Sequence, residues 1–217
     1  MKHTIKLILL AYLSLLFIRF TIPKNHFEGR IIFAITYKEL PEGAEQYAAM
    51  LPQETTLYIK DEKTRTEQGA GMGGSQVIIA NSKTEEAVVL MDVMGQKLMM
   101  KMNKDELRKE DGDKPKITYL DESLEISGYK CKKAEVVFNN DDTPLIVYYT
   151  DEIPAQSDNH FDGLNGFPLQ YEIRQNNMSM VMKAKKVSLE EVPDKLFEIP
   201  EGYREVSQDQ LKQMFGG

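Results

Sequence analysis

The chain has 217 residues, 41% hydrophobic and 28% charged, which fits neither a disordered chain nor a multi-span membrane protein. Lys2, Lys6 and Arg19 stand in the first nineteen residues, which hold no acid, leaving 24 basic against 34 acidic residues in the rest, a net −10. An acidic body excludes non-specific nucleic-acid binding, which needs a basic face, and a single cysteine excludes an internal disulfide framework and a Cys-based zinc cluster.

Lys2, His3 and Lys6 precede an apolar run over residues 7–18, interrupted by Ser14 and closed by Arg19. A positive segment followed by about 12 apolar residues is the pattern of a secretory signal, and it is short beside the roughly 20 a spanning helix needs. No small-x-small cleavage triplet follows, because the chain reads Arg19-Phe-Thr-Ile-Pro23. Residues 1–22 are therefore expected to be a signal peptide or an N-terminal anchor, and the body to be exported. No cysteine near the run provides a lipoprotein attachment point.

From residue 27 the sequence reads mostly as strands, since apolar residues recur at every second position. Phe27, Ile31, Phe33, Ile35 and Tyr37 fall on one face of a first strand, and Glu28, Arg30, Thr36 and Lys38 on the other. Residues 42–51 carry Ala44, Tyr47, Ala48 and Leu51 at i, i+3, i+4 and i+7, predicting a short amphipathic helix. Leu57 and Ile59 mark a second strand, Val77 and Ile79 a third, and Ala87, Val89, Met91 and Val93 a fourth. Leu98, Met100 and Met102 face one way and Lys97 and Lys101 the other, with a polar helix expected over residues 103–110. Further strands centre on residues 117–119, 136–138, 145–149 and 169–173. The last strong one places Met178, Met180, Met182 and Ala184 on a single face. Ser188-Leu-Glu-Glu191 and Ser207-Gln-Asp-Gln210 both have capping-box form, predicting helical turns.

Turn signals at residues 69–74, 95–96, 139–144 and 175–177 keep the connections short, which indicates an antiparallel meander. There is no linker and no internal repeat, so a single domain over residues 27–215 is expected. The predicted fold is mainly β: one curled antiparallel sheet, a half-barrel of about nine to eleven strands, with a few covering helices. One short amphipathic helix covers little of such a sheet, so its apolar concave face is a candidate ligand site. Alternation and apolar character nominate Phe33, Ile35, Met91, Met100, Met102, Tyr149, Met180 and Met182 as its lining.

Phe27-Glu-Gly29, Thr56-Leu-Tyr-Ile-Lys60 with Arg65, the Gly-rich turn and Val77-Ile-Ile79 resemble the domain-of-unknown-function 4412 family. Ile126-Ser-Gly-Tyr-Lys-Cys-Lys-Lys133, Tyr148-Tyr-Thr150 and Gly163-Leu-Asn-Gly-Phe-Pro-Leu-Gln-Tyr-Glu-Ile173 are similar to the neighbouring GLPGLI family of envelope proteins. Leu196-Phe-Glu-Ile-Pro-Glu-Gly-Tyr203 resembles the close of lipoprotein-carrier-like (LolA/LolB-like) domains. The resemblance implies a curved half-barrel with a helical lid in a Gram-negative envelope, and brings no catalytic residues. Asn165 and Phe167 stand where the GLPGL core has Pro and its second Leu.

Other constellations favour bland readings. Gly69, Gly71 and Gly74 satisfy G-x-G-x-x-G, but a phosphate site needs a helix after the loop, and Gln76-Val-Ile-Ile-Ala80 reads as a strand. Met178-x-Met180-x-Met182 offers thioethers suited to Cu(I), yet Met is also a common apolar filler and no His or Cys adjoins it. Cys131 lies among Lys130, Lys132 and Lys133, whose charges favour a thiolate. A small strand residue without a resolving partner is the simpler reading, with an intermolecular disulfide as the alternative. His160, with Asp151, Glu152, Asp158 and Asp162 nearby, lacks the order of a calcium loop. No serine motif completes a triad at His26 or His160.

The expected function is a non-catalytic envelope protein binding a lipid or other hydrophobic ligand, without metal or cofactor. The alternatives are a protein-interaction module of the envelope and a Met-rich Cu(I)-binding protein.

Overall fold

The computed structural model describes residues 27–69, 74–93, 95–103, 115–138, 141–155, 161–175 and 177–215. The segment expected to be a signal or anchor, the helix expected over residues 103–110 beyond Asn103, His26 and His160 lie outside them. Twelve strands form one sheet. They are β1 (Gly29–Glu39), β2 (Glu54–Lys60), β3 (Lys63–Gly69), β4 (Ser75–Asn81), β5 (Glu86–Val93), β6 (Gln96–Met102), β7 (Lys116–Ile126), β8 (Tyr129–Phe138), β9 (Asp141–Thr150), β10 (Phe167–Gln175), β11 (Met178–Leu189) and β12 (Arg204–Glu205). The expectation of a mainly β, curled sheet holds, with twelve strands in place of nine to eleven.

The strand order is β12-β6-β5-β4-β3-β2-β1-β11-β10-β9-β8-β7. Two antiparallel meanders, β1 to β6 and β7 to β11, run outward from a central β1–β11 pair. Consecutive strands β6 and β7 thus lie ten strand spacings apart. In a flat sheet that is about 48 Å at about 4.8 Å per spacing. The chain from Met102 to Lys116 covers about 49 Å only when fully stretched. Curling, which twisted sheets of this size adopt, shortens the gap.

Alternation puts Ile31, Phe33, Ile35, Ile59, Met182 and Ala184 into one core cluster, with Phe167 and Leu169 from β10 and Ile153 from the loop after β9. Ala134, Val136, Leu145, Val147 and Tyr149 form a second, closed by Phe161 and Leu164 of the same loop. We call the side carrying these residues of β1, β8, β9 and β11 the inner face.

The outer face is covered where β4 to β6 turn apolar side chains to it. After β11 the chain crosses β2 and β3, where Lys60 donates to the Val192 carbonyl at 3.0 Å and to Asp194 at 3.1 Å. Arg65 donates to the Leu196 carbonyl at 2.8 Å. A 3-10 turn over Asp194–Phe197 and Tyr203 then pack Phe197 and Tyr203 against Ile79, Leu90 and Met99. This strap ends as β12, parallel to β6 with Arg204 opposite Leu98, and leads into helix α1 (Gln208–Phe215). The parallel pair is an exception to the expected all-antiparallel meander.

Three local expectations meet different fates. The capping box at Ser207 forms reciprocally: Ser207 N–H donates to Gln210 Oε1 at 2.9 Å and Gln210 N–H to Ser207 Oγ at 3.2 Å. The box at Ser188 does not start a helix, because Ser188 and Leu189 pair with Arg30 and Gly29 at the end of β11. The helix expected over residues 42–51 is a 3-10 turn over Glu45–Met50, with Pro41 and Pro52 close on either side.

Candidate functional site

Register places the candidate residues without ambiguity, because each strand pair fixes which side chains share a face. One row runs Leu98–Met91–Gln76–Gln68–Thr55–Phe33–Ala184 across seven strands. The next runs Met100–Val89–Ile78–Thr66–Leu57–Ile31–Val187, and a third Met102–Ala87–Ala80–Thr64–Ile59–Gly29. On the other side of β1, Ile35 lies opposite Met182, which faces Tyr171, then Val147, Ala134 and Tyr119. Tyr37 lies opposite Met180, which faces Ile173. Tyr149, two residues from Val147, shares that face. All eight nominated residues therefore lie on the inner face.

They fall into two groups. Phe33, Ile35, Tyr149 and Met182 are buried within the two core clusters, joined through Tyr171. Phe33 meets the Tyr171 ring edge-on at 5.9 Å, and Phe161 meets it at 5.4 Å. Burial pushes the Tyr171 phenol up to about 12. These side chains close the middle of the sheet themselves. Met91, Met100 and Met102, four and five strands from β1, are partly exposed, as is Met180. Partly exposed inner-face side chains thus occur at the β3–β6 end, where Thr66, Gln68, Gln76 and Ile78 join the three methionines, and on the other side of β1 at Met180, Ile173 and Tyr119.

Strand β3 was not anticipated, because Lys63-Thr-Arg-Thr-Glu-Gln-Gly69 shows no apolar alternation. It brings Thr64, Thr66 and Gln68 to the inner face beside Gln76, a polar stripe within an apolar surface. The signal that announced it was a second period of two: threonine and glutamine on one side, Lys63, Arg65 and Glu67 on the other.

The loop after β9 is built around the glycine motif. Gly166 has φ +150, and a Cβ there would meet the Thr150 carbonyl and stand 2.9 Å from the Tyr149 ring. Asn165 N–H donates to Tyr119 Oη at 3.2 Å, while Tyr119 donates to the Gly163 carbonyl at 3.3 Å. A proline at 165, as in the GLPGL core, has no N–H to give. Phe167 is buried in the main cluster.

Cys131 is fully buried, and burial pushes its thiol up to about 11, outweighing a hydrogen bond from the Ile126 backbone that lowers it. Lys132 and Lys133 point instead to Asp151 at 3.0 Å and Glu122 at 3.1 Å. The small-strand-residue reading of Cys131 is the one the geometry supports. On the outer face, burial raises Glu172, but hydrogen bonds from Arg174 (2.7 Å), Ser179 (2.9 Å) and Lys38 (3.2 Å) outweigh it and hold the carboxyl below its ordinary value. Among the described residues no three His, Cys, Asp or Glu side chains group to hold a metal ion. The strands flanking Met180 and Met182 present Tyr37, Ile173, Ile35 and Tyr171 to them, and no further sulfur.

Residues 150–203 match a family described as a domain of unknown function (DUF4412), which supports the DUF4412 resemblance, but over the loop, β10, β11 and the strap as far as Tyr203 and not over the stretches between residues 27 and 79 that suggested it. Two solved structures of PNGF-II, in space groups P21 and C2, are similar in fold, with TM-scores of 0.54 and 0.50 and 17% identity. The alignments cover 88% and 87% of this chain but 33% and 32% of the other, so the chain spans about a third of the length of PNGF-II. No curated protein matches the chain.

Proposed function

We propose that this is a non-catalytic, exported envelope protein that holds a lipid or similar hydrophobic ligand against the β3–β6 end of its inner face. The observation that supports this reading is the placement of Met91, Met100 and Met102 side by side on that face, each partly exposed, although the outer face of the same strands is sealed by Phe197 and Tyr203. Methionine's unbranched, polarizable side chain adapts to ligands of varied shape. Each methylene taken from water contributes about 0.8 kcal/mol, so a chain of about ten offers about 8 kcal/mol before the cost of association.

The test is titration of the purified protein with the uncharged apolar dye Nile red. Saturable binding is expected, and Met100→Glu, which puts an unpaired charge on the face, should weaken it at least tenfold. Non-saturable partitioning, or binding indifferent to Met100→Glu, would refute the reading.

A further inference from the structure

We infer that the ligand of the inner face is an uncharged amphiphile, its apolar part on Met91, Met100 and Met102 and its polar, non-ionic head on Thr66, Gln68 and Gln76. This rests on the reading above and narrows it.

The three rows that cross β2 to β6 contain fifteen inner-face positions, and none is Asp, Glu, Lys, Arg or His. In a chain with 28% charged residues that absence is a property of the face. The outer side of β2 and β3 shows the contrast, with Lys60, Lys63, Arg65 and Glu67 in two strands. A carboxylate, phosphate or ammonium brought onto the inner face would lose water and gain no countercharge, which disfavours its charged form. A hydroxyl, ester or amide loses less and finds partners here.

Those partners are uncommitted. Thr55 donates its hydroxyl to the Glu67 carbonyl at 3.0 Å and is buried. Thr66, Gln68 and Gln76, by contrast, are partly exposed and make no side-chain hydrogen bond among the described residues. Gln68 and Gln76 are direct cross-strand neighbours, and Gln76 stands opposite Met91. Each amide offers both donors and an acceptor, so the pair can satisfy a head with two hydroxyls while the chain runs toward Met100. A purely apolar ligand would leave these groups without water or partner, a cost that selects against it.

Three ligands sharing a twelve-carbon chain separate the possibilities: 1-monolauroylglycerol, laurate and dodecylamine, each displacing Nile red from the full protein at pH 7.5. The neutral ester is expected to bind at least tenfold tighter than either ion. Replacing both Gln68 and Gln76 by Leu should cut that margin below threefold while Nile red still binds. Equal affinity for all three, or preference for an ion, overturns this inference and leaves the hydrophobic-ligand reading standing. Saturable binding of neither Nile red nor any of the three overturns both.

Discussion

Gly166 offers a sharp test of the loop that closes the inner face over β8 and β9. Replacing it with Ala adds one methyl group at a backbone φ of +150, where L residues are strained, and drives that methyl into the Thr150 carbonyl and to 2.9 Å from the Tyr149 ring. Strain of this kind costs about 1–3 kcal/mol and overpacking about 1–3 kcal/mol. Reduced freedom of the unfolded chain returns about 0.4–1 kcal/mol. The net is about 3 kcal/mol of destabilisation, or a Tm about 6–12 °C lower for a domain of this size. Gly202→Ala is the control, because Gly202 has φ +88 but open space around it. It incurs the strain alone and should lose about 2–4 °C. Thermal melts followed by circular dichroism in the strand band measure both. A Gly166→Ala protein that melts no lower than Gly202→Ala would show that the close approach of Gly166 to Thr150 does not constrain the loop.

Other expectations follow from single residues. Cys131 should resist a thiol reagent at pH 8 in the folded protein and react fully in denaturant, since it is buried and its thiol is raised to about 11; fast native labelling would contradict that burial. Glu172→Gln should cost about 2 kcal/mol near pH 7, the scale of hydrogen bonds to a charged group. Because the folded carboxyl titrates below its unfolded value, its contribution is present above the unfolded value and disappears as pH falls through the folded one. Urea melts at pH 7 and pH 3 should therefore show a smaller wild-type advantage at the lower pH. Ser207→Ala removes the cap of α1 and should cost about 1 kcal/mol of local helix stability, visible as faster amide exchange over residues 210–214 with little change in global Tm.

The strands with one apolar face were legible because a period of two is all that such a strand requires, and the same rule assigned eight lining residues to one side. It did not distinguish those that close the core, such as Met182, from those left accessible, such as Met100. That depends on which strands the sheet brings together, and the β1–β11 pairing has no local signature. Strand β3 escaped notice because neither of its faces is apolar: one carries the threonine–glutamine stripe, the other the lysine and arginine that hold the strap. The unbroken apolar runs at 77–80 and 87–91 put apolar side chains on both faces of β4 and β5, and Phe197 and Tyr203 cover those on the outer face. At Ser188 a sound capping box lost to strand pairing, because β1 offered its backbone a partner at the position where a helix would have begun. At Ser207 no strand competed, and the local signal prevailed.

The seam between β1 and β11 joins positions 140 to 160 residues apart, from Glu39–Ser179 to Gly29–Leu189. The pairs within each meander join neighbours in sequence, so they can form early, whereas the seam bears the loop-closure entropy of nearly the whole chain and sets a slow folding step. Until it closes, two long apolar strands stand as unprotected edges, each a template for another copy of the chain. Refolding yield should consequently fall as protein concentration rises, even though the finished sheet leaves neither of these strands at its edge.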